Sequence, residues 1–172
     1  MADESHLPYI TALVNEVLRW QPIVPLGIAH KSTTEGVYNG YRIPENSVIF
    51  PNIWAILHDE KAYPEPEVFR PERFLTQDGQ LDPDVRDPAE GFGFGRRICP
   101  GRHLVFAALW LSVASTLSTM KISKATRPDG TTIEPSAKYA SGLLSHPLPF
   151  KCTIRPRSKE AEELIRNTII QP

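Results

Sequence analysis

The sequence predicts a mainly α protein with small β-sheets, an α+β arrangement, on three observations. Near the N-terminal end, apolar residues recur at helical spacing between His6 and Trp20. A later run, Leu104 to Val113, is apolar nearly all round, as a buried helix would be. Between and beyond them the strand signals are short, and the chain carries 17 prolines in 172 residues. Proline fixes φ and lacks an amide donor, so long regular elements are barred from the middle. Much of the chain is expected to be ordered coil.

Taken in order, Leu7, Ile10, Leu13, Val14, Val17 and Leu18 form the apolar stripe of the first helix, with Ser5 as its cap and Pro8 in its first turn. Pro22 and Pro25 stop it, and Val24 to His30 reads as extended chain. Val37 and Tyr38, then Asn39-Gly40, then Tyr41 to Ile43 predict a tight hairpin, because Asn-Gly supplies the two positive φ angles of a primed turn. A third strand is expected at Ser47 to Phe50 and a short helix at Ile53 to His58. The stretch YPEPEVFRPERF is too rich in proline for helix or central strand and is expected as a meander. A buried helix should run from Arg102 to about Ile122. A hairpin is expected with Tyr139 to Leu144 returning as Pro149 to Arg155, and a charged helix from about Ser158.

Composition narrows the function classes. Nineteen Lys and Arg against twenty Asp and Glu leave a formal charge of -1, which gives no electrostatic case for nucleic acid. Two cysteines, Cys99 and Cys152, are far too few for a disulfide scaffold. The apolar run at Leu104 falls short of the roughly 18 residues that argue a membrane span. No repeat or low-complexity segment breaks the chain, so residues 1–172 read as one unit.

The chemistry concentrates in GFGFGRRICPGRH, Gly91 to His103. Three glycines permit backbone conformations and close approaches that a β-carbon would block. Cys99 stands near a helix start, where amide N–H groups and the dipole favour a thiolate, and a thiolate is a metal ligand or a nucleophile. Gly101 beside it leaves room for a ligand. A phosphate loop fits poorly, since the spacing is GxGxG rather than GxGxxG and no hydrophobic strand precedes it. A nucleophilic cysteine partnered by His103 lacks an orienting carboxylate or amide. A zinc site has too few ligands. A plain structural cysteine remains the bland alternative.

Phe92, Gly95, Arg97, Cys99 and Gly101 match every fixed position of FxxGxRxCxG, and at these residues the chain resembles the haem-binding signature of the cytochrome P450 family. Two further segments agree in order: Glu16 to Arg19 is similar to the family's ExxR motif, and Pro71-Glu72-Arg73-Phe74 to its PERF segment. The resemblance implies the C-terminal haem-binding part of that fold and a haem b cofactor, with Cys99 as the axial iron ligand. It further implies Arg97 on a propionate, Gly95 and Gly101 giving close passage to the macrocycle, and Phe92 packed near the thiolate. His30 stands where the family commonly has a propionate-binding His or Arg. Val24 to Ala29 and Ser141 to Leu144 resemble pocket-lining segments, and Cys152 matches no ligand position and reads as structural.

Glu16, Arg19 and Arg73 are implied as a buried network. Periodicity alone would place Glu16 and Arg19 opposite the apolar stripe, as a solvated pair of small energetic value. The network is expected instead, because a bidentate Arg on a carboxylate can pin a meander that lacks a backbone ladder.

The resemblance runs from about Leu7 to Arg157 and corresponds to the C-terminal part of a family member. The family's membrane anchor and its long helix with an acid–alcohol pair for oxygen activation are not found in these residues. The implied reaction is insertion of one atom of O2 into a small apolar organic substrate, with electrons from an NADPH-dependent reductase at the endoplasmic reticulum membrane. By themselves these residues are expected to be poorly active or inactive. The alternative readings are a truncated haem-binding or structural remnant and a cysteine enzyme without haem.

Overall fold

A computed structural model describes residues 3–169. Helix α1, Pro8–Trp20, begins with proline at its first position, where the missing amide costs nothing. Ser5 does not cap it: Ser5 lies within a 3-10 turn, Glu4–His6, that leads into the helix through Leu7 without any side-chain cap. The buried face of α1 is also rotated from the expected stripe. Thr11, Ala12, Val14, Glu16 and Arg19 are buried, whereas Leu7 and Val17 are exposed. Glu16 and Arg19 turn inward because the elements packed against α1 also present carbonyl, amide and guanidinium partners.

Beyond α1 the chain bends instead of running extended. Gly27 donates its amide to Val24 O at 2.9 Å and adopts φ +59°, which forms a turn before β1, His30–Lys31. The hairpin forms as expected between β2, Gly36–Tyr38, and β3, Tyr41–Ile43, with Asn39 and Gly40 at φ 49° and 81°. Strand β4, Val48–Ile49, pairs antiparallel with β1, so that His30 faces Ile49 and Lys31 faces Val48. Helix α2, Ile53–Leu57, follows directly, capped by Asn52, which accepts from the Ala55 amide at 3.0 Å.

The core is small. Ala12 from α1, Ile53 and Leu57 from α2, and Tyr63 and Phe74 from the meander form its buried cluster. The PERF residues make a 3-10 turn, Pro71–Phe74, packed along α1.

Helix α3, Arg102–Thr119, is shorter and far less buried than its sequence predicts. Only Trp110 is buried, donating its indole N–H to Thr11 Oγ1 at 3.0 Å, while Leu104 is 75% exposed. An all-round apolar helix needs neighbours on every side, and among the described residues α1 and α4 cover only part of it. The helix stops at Thr119 because Met120–Lys124 forms β5, which pairs in full register with β6, Cys152–Pro156. That pairing replaces the hairpin expected between Tyr139 to Leu144 and Pro149 to Arg155. The earlier segment keeps a single bridge, Tyr139 to Pro147. Cys152 is exposed at the end of β6, not packed as a structural core residue. The final helix, α4 (Lys159–Ile169), is capped by Ser158, which accepts from the Ala161 amide at 3.1 Å. No helix among the described residues is long and apolar enough to cross a membrane.

Candidate functional site

The Cys99 loop is built from two 3-10 turns, Ala89–Phe92 and Gly95–Arg97, placed back to back before α3. Gly93 and Gly95 join them at φ 87° and 56°, conformations that side chains with a β-carbon rarely adopt. The loop closes where Cys99 donates its amide to Phe92 O at 2.8 Å. Arg102 then donates its amide to Cys99 O at 3.3 Å, which leads the chain into α3. Cys99 and Phe92 are half-buried, and Arg97 is exposed, its side chain making no hydrogen bond or ion pair among the described residues. A β-carbon on Gly101 would meet Cys99 Sγ at 3.8 Å, an ordinary contact, so the chain's own atoms do not require glycine there.

His30 is exposed on β1 and likewise makes no side-chain hydrogen bond or ion pair among the described residues. The structure does not join it to the Cys99 loop. The residues flanking the two pocket-lining segments named from sequence do meet: Ser145, just after one, donates its amide to O of Ile23, just before the other, at 2.7 Å. Leu26, Ile28, Leu143 and Leu144 on these segments are all more than half exposed, a run of uncovered apolar surface.

Glu16, Arg19 and Arg73 are brought together in the interior. Glu16 and Arg19 are fully buried and form a two-pronged pair, with Arg19 Nε 2.7 Å from Oε2 and Nη2 2.9 Å from Oε1. Arg73 Nε lies 3.1 Å from Glu16 Oε2 as an ion-pair contact, off the line of a hydrogen bond. Its two Nη atoms donate to Pro64 O, Glu65 O and Val68 O at 2.7 to 3.1 Å. Burial pushes Arg73 below its usual value, against the Glu16 carboxylate, which favours the charge. Arg19 Nη1 also donates to Leu57 O at 3.1 Å.

Sequence reasoning missed three members of this assembly. The Arg70 amide donates to Glu16 Oε1 at 2.8 Å, and Leu57 supplies a carbonyl. Tyr63 lies beneath Arg19, whose Cζ is 5.6 Å from the ring centroid. Backbone partners carry no side-chain signature; Tyr63 showed only as an aromatic among prolines.

A cleft of about 380 Å³ lies between α1 and the start of α3, lined by Leu18, Asp87, Phe92, His103 and Phe106 among others. Neither Cys99, Arg97 nor His30 lines it, although Phe92 of the Cys99 loop does. Burial and the nearby Glu90 carboxylate raise Asp87 above the usual carboxylate range.

Comparison with known proteins adds the decisive observation. The family model described as Cytochrome P450 matches residues 1–154. The chain belongs to the cytochrome P450 family. It is 48% identical over 166 residues to cytochrome P450 monooxygenase ple1 of Rhodocybe pseudopiperita, covering 96% of this chain and 32% of that protein. It is 49% identical to cytochrome P450 monooxygenase 98 of Postia placenta over 166 residues, 95% of this chain and 32% of the relative. It is 44% identical to tryptamine 4-monooxygenase of Psilocybe cyanescens over 159 residues, 92% and 31% respectively. The chain thus spans about a third of the length of these curated relatives, and family membership implies haem as the cofactor in general terms.

Proposed function

We propose that these residues are the haem-binding portion of a haem-thiolate monooxygenase, with Cys99 as the axial ligand of haem b. The observation that carries the reading is the Cys99 loop itself: one half-buried thiol at the mouth of α3, on a backbone held where the Cys99 amide donates to Phe92 O, in a chain of this family. The residues fit the group. Arg97 and His30 are exposed and uncommitted, so each is free to meet a propionate carboxylate. Gly95 and Gly101 offer bare backbone, with nothing within 4 Å of a β-carbon at Gly95.

Bound haem supplies the activation of dioxygen, from which one oxygen atom enters the substrate and the other leaves as water. The chain's part is to hold the thiolate, pair with the carboxylates and offer an apolar wall. Leu26, Ile28, Leu143 and Leu144 suit a small apolar organic substrate. Electrons would come from an NADPH-dependent reductase, with the whole protein at the endoplasmic reticulum membrane. The 172 residues by themselves are expected to turn over slowly or not at all.

Titration of the protein with haem, followed by absorbance, tests the assignment. Wild type should saturate at one haem with a thiolate-ligated spectrum. Arg97→Leu should bind more weakly with the same ligation, and Cys99→Ser should lose that ligation. An unchanged spectrum in Cys99→Ser would remove Cys99 from the iron.

A further inference from the structure

We propose that Tyr63 is a positioning residue that tethers the Cys99 loop to the buried Glu16 and Arg19 pair. The functional sense of this tether rests on the reading of Cys99 as the haem ligand. Between Arg86 and Cys99 the backbone hydrogen bonds close on themselves: Gly91 to Pro88, Gly93 to Glu90, and Cys99 to Phe92. Such a stretch has internal shape but needs external anchors. Its far end is anchored by α3, through the Arg102 amide on Cys99 O. At its near end the Tyr63 hydroxyl donates to Arg86 O at 3.1 Å.

Tyr63 is itself well fixed. It is 1% exposed, its amide donates to Asp59 O at 2.8 Å, and its ring packs at 5.6 Å from the Arg19 guanidinium. Arg19 is in turn held by Glu16 through two hydrogen bonds. A further link runs along the loop, because the Arg86 side chain pairs with Glu90, whose carbonyl accepts the Gly93 amide at 3.0 Å. The phenol is pushed up to about 12, chiefly by burial, so the hydroxyl keeps its proton and remains a donor throughout the physiological range. Phenylalanine would keep the ring and the packing but leave the Arg86 carbonyl without this partner.

Tyr63→Phe separates a tether from a core residue. In native-state hydrogen exchange of the protein as isolated, the variant should exchange roughly two- to tenfold faster at Gly91, Gly93 and Cys99, with α1 amides unchanged. Equal acceleration in α1 and the loop, or none in either, would overturn the tether. In the haem-loaded protein, the variant should show a smaller share of the thiolate-ligated ferrous carbonyl form. An unchanged share beside a loosened loop would overturn the positioning role. A wild type with no such form at all would sink the haem reading itself, leaving hydrogen exchange to decide the tether independently.

Discussion

Replacing Glu16 by alanine removes the acceptor on which four groups converge. In the structure its carboxylate takes two hydrogen bonds from Arg19 and one from the Arg70 amide, and stands 3.1 Å from Arg73 Nε. Both Glu16 and Arg19 have side chains with no exposed surface, and that of Arg73 is 4% exposed. The variant would leave two guanidinium groups inside the protein without a counter-charge. Water cannot reach Arg19 to compensate. Breaking such a buried pair costs about 3 to 5 kcal/mol, against a total stability of about 5 to 15 kcal/mol for a typical domain. About a fifth or more of the stability should therefore vanish. Urea unfolding followed by tryptophan fluorescence reads this directly, since Trp20 sits edge-on to Phe69 at 5.4 Å and donates to Glu67 O beside the network. The midpoint should fall with the denaturant slope unchanged. A loss under about 1 kcal/mol, the size expected of a solvated pair, would refute the reasoning.

Two further outcomes follow from local structure. His58 is 8% exposed, stacked on Trp54 at 4.3 Å, with Nδ1 2.8 Å from Trp54 O and no partner for Nε2 among the described residues. Burial holds its imidazole below the ordinary value of 6.5, so below that pH the unfolded chain binds the proton more readily. The contribution of neutral His58 is thus complete above about pH 6.5 and is lost on acidification; urea midpoints of wild type should fall more steeply between about pH 7 and pH 5 than those of His58→Gln. At Gly27, φ is +59° and an added β-carbon would lie 2.5 Å from Pro51 Cγ, so Gly27→Ala should cost about 2 kcal/mol or more in the same unfolding assay.

The parts of the fold legible in the sequence are those fixed by near neighbours. Asn39-Gly40 dictates its own hairpin through two positive φ angles, whereas the Ser5 cap expected for α1 does not form. The unreadable parts depend on distant partners. On α1 periodicity alone pointed the other way, and the inward Glu16 and Arg19 were expected only through the resemblance, because Leu57, Arg70 and Arg73, some forty to sixty residues on, supply what they need. Met120–Lys124 continued a helical pattern until the strand at Cys152–Pro156 offered a full antiparallel register. For the candidate site, the Cys99 loop was visible because its glycines, arginine and cysteine are adjacent in sequence. Tyr63 and the Arg70 amide were not, since a ring under a guanidinium and a backbone donor leave no spaced motif.

The central claim is that Cys99 binds haem iron as a thiolate, and the ferrous carbonyl spectrum tests it most directly. The haem-loaded protein, reduced under carbon monoxide, should show the red-shifted Soret band of thiolate ligation, and Cys99→Ser should lack it. A band that survives in Cys99→Ser, or wild-type protein that takes up haem without ever showing one, would contradict the account.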